Sequence, residues 1–125
     1  MGHTVFIAED EKVSRILIID MLKKMGVSTV VASTNGQTAM EKLRVQSGKG
    51  DLIISDWNMP VMDGLEFYKT AKDEGFLKNT PFLIVSVEDQ KDKIMRAMGA
   101  GVNDYIIKPI LPKTFQNKVR ALLKI

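Results

Sequence analysis

Five short apolar runs alternate with five stretches of helical periodicity along this chain of 125 residues. Runs of this length with almost no polar interruption are typical of strands buried on both faces, as in a parallel sheet covered by helices. Right-handed crossovers then predict a doubly wound α/β domain, (βα)5, with three layers and a five-stranded parallel sheet. The predicted strands are Thr4–Ala8, Thr29–Ala32, Leu52–Ser55, Phe82–Val85 and Asp104–Ile107.

The segments between the runs carry start and stop signals for helices. Thr34 or Asn35 is a suitable N-cap for the second helix and Asp63 for the third, and Gly26 and Gly75 are typical stops. The fourth helix is expected from about Asp89 to Met98, before Gly99. The apolar positions predicted to face the core are Val13, Ile16, Leu17, Leu22 and Met25 in the first helix and Phe115, Val119, Leu122 and Leu123 in the last, which follows Pro109 and Pro112.

Size and composition fit a single domain over residues 1–125 with one real core, since 45% of the residues are hydrophobic. There is no cysteine, which excludes disulfides and thiolate metal sites. With no signal-like leader and no run long enough to span a bilayer, we expect a cytoplasmic protein without membrane contact. The net charge of +3 comes from dispersed lysines with no arginine cluster. It therefore indicates solubility or protein docking, not nucleic-acid binding.

Four of the predicted strands end on residues suited to phosphoryl chemistry. Glu9 and Asp10 follow the first strand, Asp56 the third, Ser86 the fourth and Lys108 the fifth. Because the carboxyl ends of parallel strands share one rim of the sheet, these residues are expected to form one site. Three carboxylates held together repel one another, and a divalent cation such as Mg²⁺ relieves that repulsion.

Asp56 is the candidate nucleophile, because carboxylates form aspartyl-phosphate intermediates. Mg²⁺ on Glu9, Asp10, Asp56 and the backbone carbonyl of Asn58 would neutralise one side of the phosphoryl group. Lys108 would neutralise the other side, and Ser86 would donate a hydrogen bond to a third oxygen. Trp57 is expected to be a partly exposed neighbour of this site.

These residues form a recognisable series of motifs over the whole chain. Glu9-Asp10, Asp56-Trp57-Asn58-Met59-Pro60, Met62-Asp63-Gly64, Ser86 and Lys108-Pro109 resemble the receiver-domain signature of two-component response regulators, of the CheY-like type. The resemblance implies the flavodoxin-like strand order 2-1-3-4-5. Glu9 in place of the usual aspartate, Ser86 in place of threonine, a bulky Val87 and Ile110 in place of phenylalanine depart from the family pattern.

The resemblance also implies roles for single residues. Asp56 would accept a phosphoryl group from a sensor histidine kinase or histidine phosphotransfer domain, in a Mg²⁺-dependent reaction. Tyr105 would swing inward, and a downstream protein target would dock on the face around it. Asn58 and Glu88 would tune hydrolysis of the phosphoryl bond, and the Lys108–Pro109 peptide would be cis. The protein would be a single-domain signalling switch, not an enzyme, with chemotaxis or motility control as one possible pathway.

Three other interpretations stay open at the level of the sequence. The chain is also compatible with a receiver domain cut from a larger regulator or hybrid kinase. A Mg²⁺-dependent phosphatase of the haloacid-dehalogenase type would use Asp56 in a similar way, but it needs a second acid where Asn58 stands. A flavodoxin-type carrier of flavin or nucleotide is disfavoured, since Glu9, Asp10 and Glu11 would repel its phosphate.

Overall fold

The structure, a computed structural model, describes residues 2–125, in which strands and helices alternate as the sequence predicts. None of the helices in this range is long and apolar enough to cross a lipid bilayer. The elements are β1 Thr4–Ala8, α1 Lys12–Lys24, β2 Thr29–Ser33, α2 Gly36–Val45, β3 Leu52–Ser55, α3 Gly64–Asp73, β4 Phe82–Ser86, α4 Lys91–Ala100, β5 Asp104–Ile107 and α5 Pro112–Leu123.

The five strands form one parallel sheet in the order β2-β1-β3-β4-β5, which confirms the expected fold class. β1 pairs with β2 on one side and β3 on the other. The strand order therefore reverses between β1 and β3, and the loops that follow these two strands leave in opposite directions. Such a switch point opens a crevice at the carboxyl ends of the strands.

Alternate residues of each strand pack on opposite faces of the sheet. Phe6 and Ala8 of β1 belong to the core under α2, α3 and α4, whereas Val5 and Ile7 belong to the core under α1 and α5. Phe82, at the start of β4, is fully buried in the first core, with its ring edge-on to Phe67 and Tyr68. Both faces of the sheet are thus covered, as the strands' continuous apolar sequences require.

The helix ends follow local chemistry. The Asn35 side chain caps α2 by accepting a hydrogen bond from the Thr38 N–H, and Asp63 forms a capping box with Glu66 at the start of α3. The expected end of α4 before Gly99 is wrong, because the helix continues through Gly99 to Ala100. It ends at Gly101, whose φ of 117° suits a residue without a Cβ.

The apolar stripe predicted for α1 is wrong in its first half. Val13, Ile16 and Leu17 are 71%, 55% and 39% exposed, and the helix is buried through Ile18, Met21 and Leu22 instead. The run Ile16–Ile19 places large apolar side chains on every side of the helix, so its periodicity fits two different stripes. Packing against the sheet selects one of them.

Truncation of Phe82 to alanine provides a test of this packing. Because Phe82 lies 5.3 Å from the Phe67 ring centroid and 5.2 Å from that of Tyr68, its loss leaves a cavity in the core. We expect Phe82→Ala to lower the free energy of unfolding by about 3–5 kcal/mol, measured by urea denaturation followed by circular dichroism. Val45→Ala, at a residue that is 84% exposed, is the control and should change it by less than about 0.5 kcal/mol. Equal effects of the two substitutions would contradict the assigned core.

Candidate functional site

The strand register brings the acidic residues of two loops together. Ala8, the last residue of β1, pairs with Ser55, the last residue of β3, so Glu9 and Asp56 directly follow the ends of two neighbouring strands. The Asp56 N–H donates to the Ala8 carbonyl at 2.9 Å, and this bond carries the pairing one residue beyond the strands. The carboxylates of Glu9 and Asp56 are therefore placed at the switch-point crevice by backbone pairing.

Lys108 closes this site from β5. Its Nζ donates to Glu9 Oε1 at 2.7 Å and to Asp56 Oδ2 at 2.8 Å. The three side chains are largely buried, with exposed fractions of 11% for Lys108, 1% for Glu9 and 8% for Asp56. Burial opposes the charge of the ammonium, but its hydrogen bonds to both carboxylates, with their negative charges, outweigh burial and raise the pKa of Lys108. The lysine is therefore protonated at neutral pH.

The backbone that follows β3 fixes the second oxygen of Asp56. Oδ1 accepts hydrogen bonds from the N–H groups of Trp57 at 2.5 Å and Asn58 at 3.3 Å. The chain then returns, and the Gly64 N–H donates to the Trp57 carbonyl at 2.8 Å. A Cβ at Gly64 would collide with the Asp56 carbonyl oxygen, so this close approach requires glycine.

The acidic cluster has the composition of a cation site. Glu9, Asp10 and Asp56 each offer a carboxylate oxygen, and these oxygens lie within 4.8 Å of one another. Burial raises the pKa of Glu9 to about 7, with Lys108 opposing the rise and the neighbouring charge of Asp56 adding to it. Asp10 is exposed at the mouth of the crevice. Oxygen ligands, excess negative charge and an open side fit a hard divalent cation such as Mg²⁺.

A second group of predicted residues lies at the end of β4, on the loop after it and on β5. The buried Ser86 Oγ accepts a hydrogen bond from the Glu88 N–H at 3.2 Å. The Tyr105 hydroxyl donates to the Glu88 carbonyl at 2.8 Å, and burial raises the pKa of Tyr105 to about 12. Ser86 and Tyr105 are therefore connected through the backbone of Glu88.

Trp57 is buried, contrary to the sequence-based expectation. It is 6% exposed, its ring packs edge-on against Tyr105 at 6.4 Å, and the Arg96 guanidinium lies 6.0 Å from its centroid. Trp57 lies in a loop, so no hydrophobic periodicity predicts its burial. The groups that cover it come from α4 and β5. Trp57, the residue next to Asp56, thus contacts Tyr105 directly.

The Lys108–Pro109 peptide bond at the end of β5 is cis.

Two cations at the site were missed by the sequence reasoning. Arg15 Nη1 donates to the carbonyl of Glu9 at 3.0 Å and, at 3.4 Å, to that of Asp10. Lys93 Nζ donates to Glu88 Oε1 at 2.9 Å. Both cations lie five or six residues beyond the acidic residue whose backbone or side chain they contact. That spacing across the start of a helix was the available signal.

The chain belongs to the response regulator receiver domain family, whose model matches residues 5–120. Domains of this family are signalling domains and not classical enzymes. Within the family, the chain is of the CheY-like type.

Individual relatives cover almost the whole chain. It is 31% identical to chemotaxis protein CheY of Pseudomonas aeruginosa over 120 residues, which are 96% of this chain and 95% of that protein. The structure matches that of chemotaxis response regulator CheY4 of Vibrio cholerae with a TM-score of 0.86 and 29% identity, covering 98% and 99% of the two chains. It also matches the receiver domain of a sensor histidine kinase from P. aeruginosa, with a TM-score of 0.83, 21% identity and 100% of each chain covered. That domain has a magnesium ion coordinated in its active-site cleft.

The raised pKa of Glu9 gives a testable pH dependence in metal-free buffer. Its ordinary value of 4.5 rises to about 7 in the folded protein, so the folded state holds this proton more tightly than the unfolded chain. The contribution of Glu9 to stability is therefore most favourable below pH 4.5 and is lost as the pH rises to about 7. We expect the loss to reach up to about 3 kcal/mol.

The measurement is the free energy of unfolding against pH for wild type and Glu9→Gln. Their difference removes the contribution of other carboxylates, such as Glu74, whose pKa is lowered by its bond with Arg44. Glu41→Gln, at an exposed carboxylate, is the control and should follow wild type. A constant difference between wild type and Glu9→Gln from pH 4.5 to 7 would contradict the pKa of Glu9.

Proposed function

We propose that this protein is a single-domain response regulator that accepts a phosphoryl group on Asp56. The donor would be a phosphohistidine of a sensor histidine kinase or histidine phosphotransfer domain. The observation that carries the proposal is the position of Lys108, whose ammonium group bonds Asp56 and Glu9 inside one crevice. Family membership and similarity to CheY proteins support it.

Asp56 is held ready for attack on phosphorus. Its Oδ1 is fixed by two backbone N–H groups and its Oδ2 by Lys108. In the transfer, a carboxylate oxygen of Asp56 forms the bond to phosphorus, the bond from phosphorus to the donor nitrogen breaks, and its electron pair stays on that nitrogen. Catalysis of this kind depends mainly on positioning and charge stabilisation.

The donor set at the crevice fits Mg²⁺, which we assign to Glu9, Asp10, Asp56 and the backbone carbonyl of Asn58. When bound, the cation would supply charge neutralisation for the phosphoryl oxygens. The grouping of three carboxylate oxygens supports this assignment, because a divalent cation would offset the burial and the neighbouring negative charge of Asp56 that raise the pKa of Glu9.

Lys108 and Ser86 would stabilise the phosphorylated form. The Lys108 ammonium is already at the Asp56 carboxylate, so it can bond to a phosphoryl oxygen there. Ser86 accepts a hydrogen bond from the Glu88 N–H through a lone pair of its oxygen. That bond leaves the hydroxyl proton of Ser86 free to be donated to a phosphoryl oxygen.

Tyr105 would report phosphorylation to a protein target docked on the face around it. The tyrosine is already turned inward, with its hydroxyl on the Glu88 carbonyl. We therefore propose that phosphorylation stabilises this position by drawing in Ser86, in place of creating it by a swing from solvent. Asn58 and Glu88 would tune hydrolysis. The CheY relatives make chemotaxis the first pathway to test.

Direct phosphorylation tests the proposal. Incubation with acetyl phosphate and Mg²⁺ should add the mass of one phosphoryl group to wild type, measured by intact-protein mass spectrometry. Asp56→Asn should gain nothing, since the amide is not a nucleophile of comparable strength. Asp73→Asn, at an exposed carboxylate on α3, is the matched control and should be modified like wild type. Modification of Asp56→Asn would place the acceptor elsewhere.

Titration with Mg²⁺ tests the metal assignment. Trp57 is the only tryptophan of the chain and lies beside Asp56, so its fluorescence is a local probe. We expect Asp10→Asn to weaken Mg²⁺ binding by at least about tenfold, or about 1.4 kcal/mol, because a carboxylate ligand is lost. Asp20→Asn, at an exposed position on α1, should bind like wild type. Equal affinities of the three proteins would remove Asp10 from the ligand set.

A further inference from the structure

Glu88 connects three parts of the region next to Asp56. Its N–H donates to Ser86 Oγ and its carbonyl accepts from the Tyr105 hydroxyl. Its carboxylate accepts from Lys93 Nζ of α4 at 2.9 Å and, through the other oxygen, from the Gln90 N–H at 3.2 Å. The side chain of Glu88 is therefore held at the start of α4, by Lys93 of that helix and by the N–H of Gln90, its N-cap residue.

Lys93 is the only side chain among residues 2–125 that bonds the Glu88 carboxylate. The side chain of Glu88 is 13% exposed and that of Lys93 is 44% exposed, so the ion pair joins a mostly covered carboxylate to a partly exposed lysine. The hydrogen bond from Lys93, with that from the Gln90 N–H, lowers the pKa of Glu88. A carboxylate held in this way is a weak base with little freedom to turn toward Asp56.

We propose that Lys93 is a positioning residue that lengthens the life of the phosphoryl group on Asp56 by holding the Glu88 carboxylate on α4. This inference rests on the proposed phosphorylation of Asp56. It assigns a role in the signal's duration to a lysine of α4 that does not contact the acidic cluster.

The role follows from the chemistry of hydrolysis. The oxygen of a water molecule forms a bond to phosphorus, the bond between phosphorus and the Asp56 oxygen breaks, and its electron pair returns to the carboxylate. A proton of the water passes to a base and then to solvent. Without Lys93, the Glu88 carboxylate is more basic and keeps only its contacts with backbone N–H groups, such as that of Gln90. It can then turn toward the phosphoryl group and accept this proton.

The experiment measures the rate of phosphoryl loss. Protein phosphorylated with acetyl phosphate and Mg²⁺ is separated from the donor, and the adduct is followed by intact-protein mass spectrometry. We expect Lys93→Gln to lose the group at least about threefold faster than wild type, because Glu88 is released. Lys93→Arg should stay near wild type, since arginine preserves the ion pair. Lys91→Gln is the control, because Lys91 lies two residues earlier on α4 and forms no ion pair within residues 2–125.

A double variant shows whether Lys93 acts through Glu88. In a Glu88→Gln background, Lys93→Gln should leave the rate of phosphoryl loss unchanged, because the base it would release is absent. A purely structural role of Lys93 would instead lower the thermal unfolding midpoint in both backgrounds without a lifetime effect specific to Glu88. Additive effects on the rate, or an equal effect of Lys91→Gln, would overturn the proposal.

The outcomes separate this inference from the proposed function. A wild-type protein that gains no phosphoryl mass would overturn both. A wild-type protein that is phosphorylated on Asp56, with an unchanged lifetime in Lys93→Gln, would overturn the positioning role of Lys93 and leave the proposed function intact.

Discussion

The site depends on one buried ammonium group shared by two buried carboxylates. Lys108 comes from the end of β5, Glu9 from the end of β1 and Asp56 from the end of β3, so three separate strands must be in register for the bonds to form. Removing one partner of a buried ion pair costs about 3–5 kcal/mol, since the remaining charge is left without compensation. The carboxyl-end rim of the sheet is therefore electrostatically coupled to the fold.

This arrangement is incompletely neutralised. Three carboxylates, those of Glu9, Asp10 and Asp56, face one ammonium group, and burial, together with the neighbouring charge of Asp56, raises the pKa of Glu9. The excess negative charge favours a divalent cation and disfavours an anion without one. The same feature that makes the crevice unfavourable for its own carboxylates thus suits it to a cation-assisted phosphoryl group.

Only a few residues lie between Asp56 and the elements β5 and α4. Trp57 follows Asp56 directly and packs against Tyr105, while Tyr105 and Ser86 both bond the backbone of Glu88. Lys93 then joins Glu88 to α4. A change at Asp56 therefore reaches β5 through the ring packing of Trp57 and Tyr105. The hydrogen bonds of Ser86, Glu88 and Lys93 would join this route to α4 through the proposed bond between Ser86 and the phosphoryl group.

Prediction from the sequence succeeded where the signal was local and failed where it was not. The strands, the caps at Asn35 and Asp63 and the glycine stop at Gly26 follow from hydrophobic pattern and backbone chemistry within a few residues. The exposed side of α1 and the burial of Trp57 were predicted wrongly. In both cases the deciding contacts come from elements distant in the chain.

The sequence by itself determined which chemical groups end the strands and, with parallel strands, that they meet at one rim. Periodicity and strand-end residues carry that information directly. Only the tertiary structure decided that Lys108 reaches past the end of β4 to both acids, that Tyr105 already lies against Glu88, and that Lys93 holds the Glu88 carboxylate. These are matters of distance and side-chain direction, which depend on how the helices pack on the sheet. Spacing along the chain brings Lys93 near Glu88 but does not determine which groups bond.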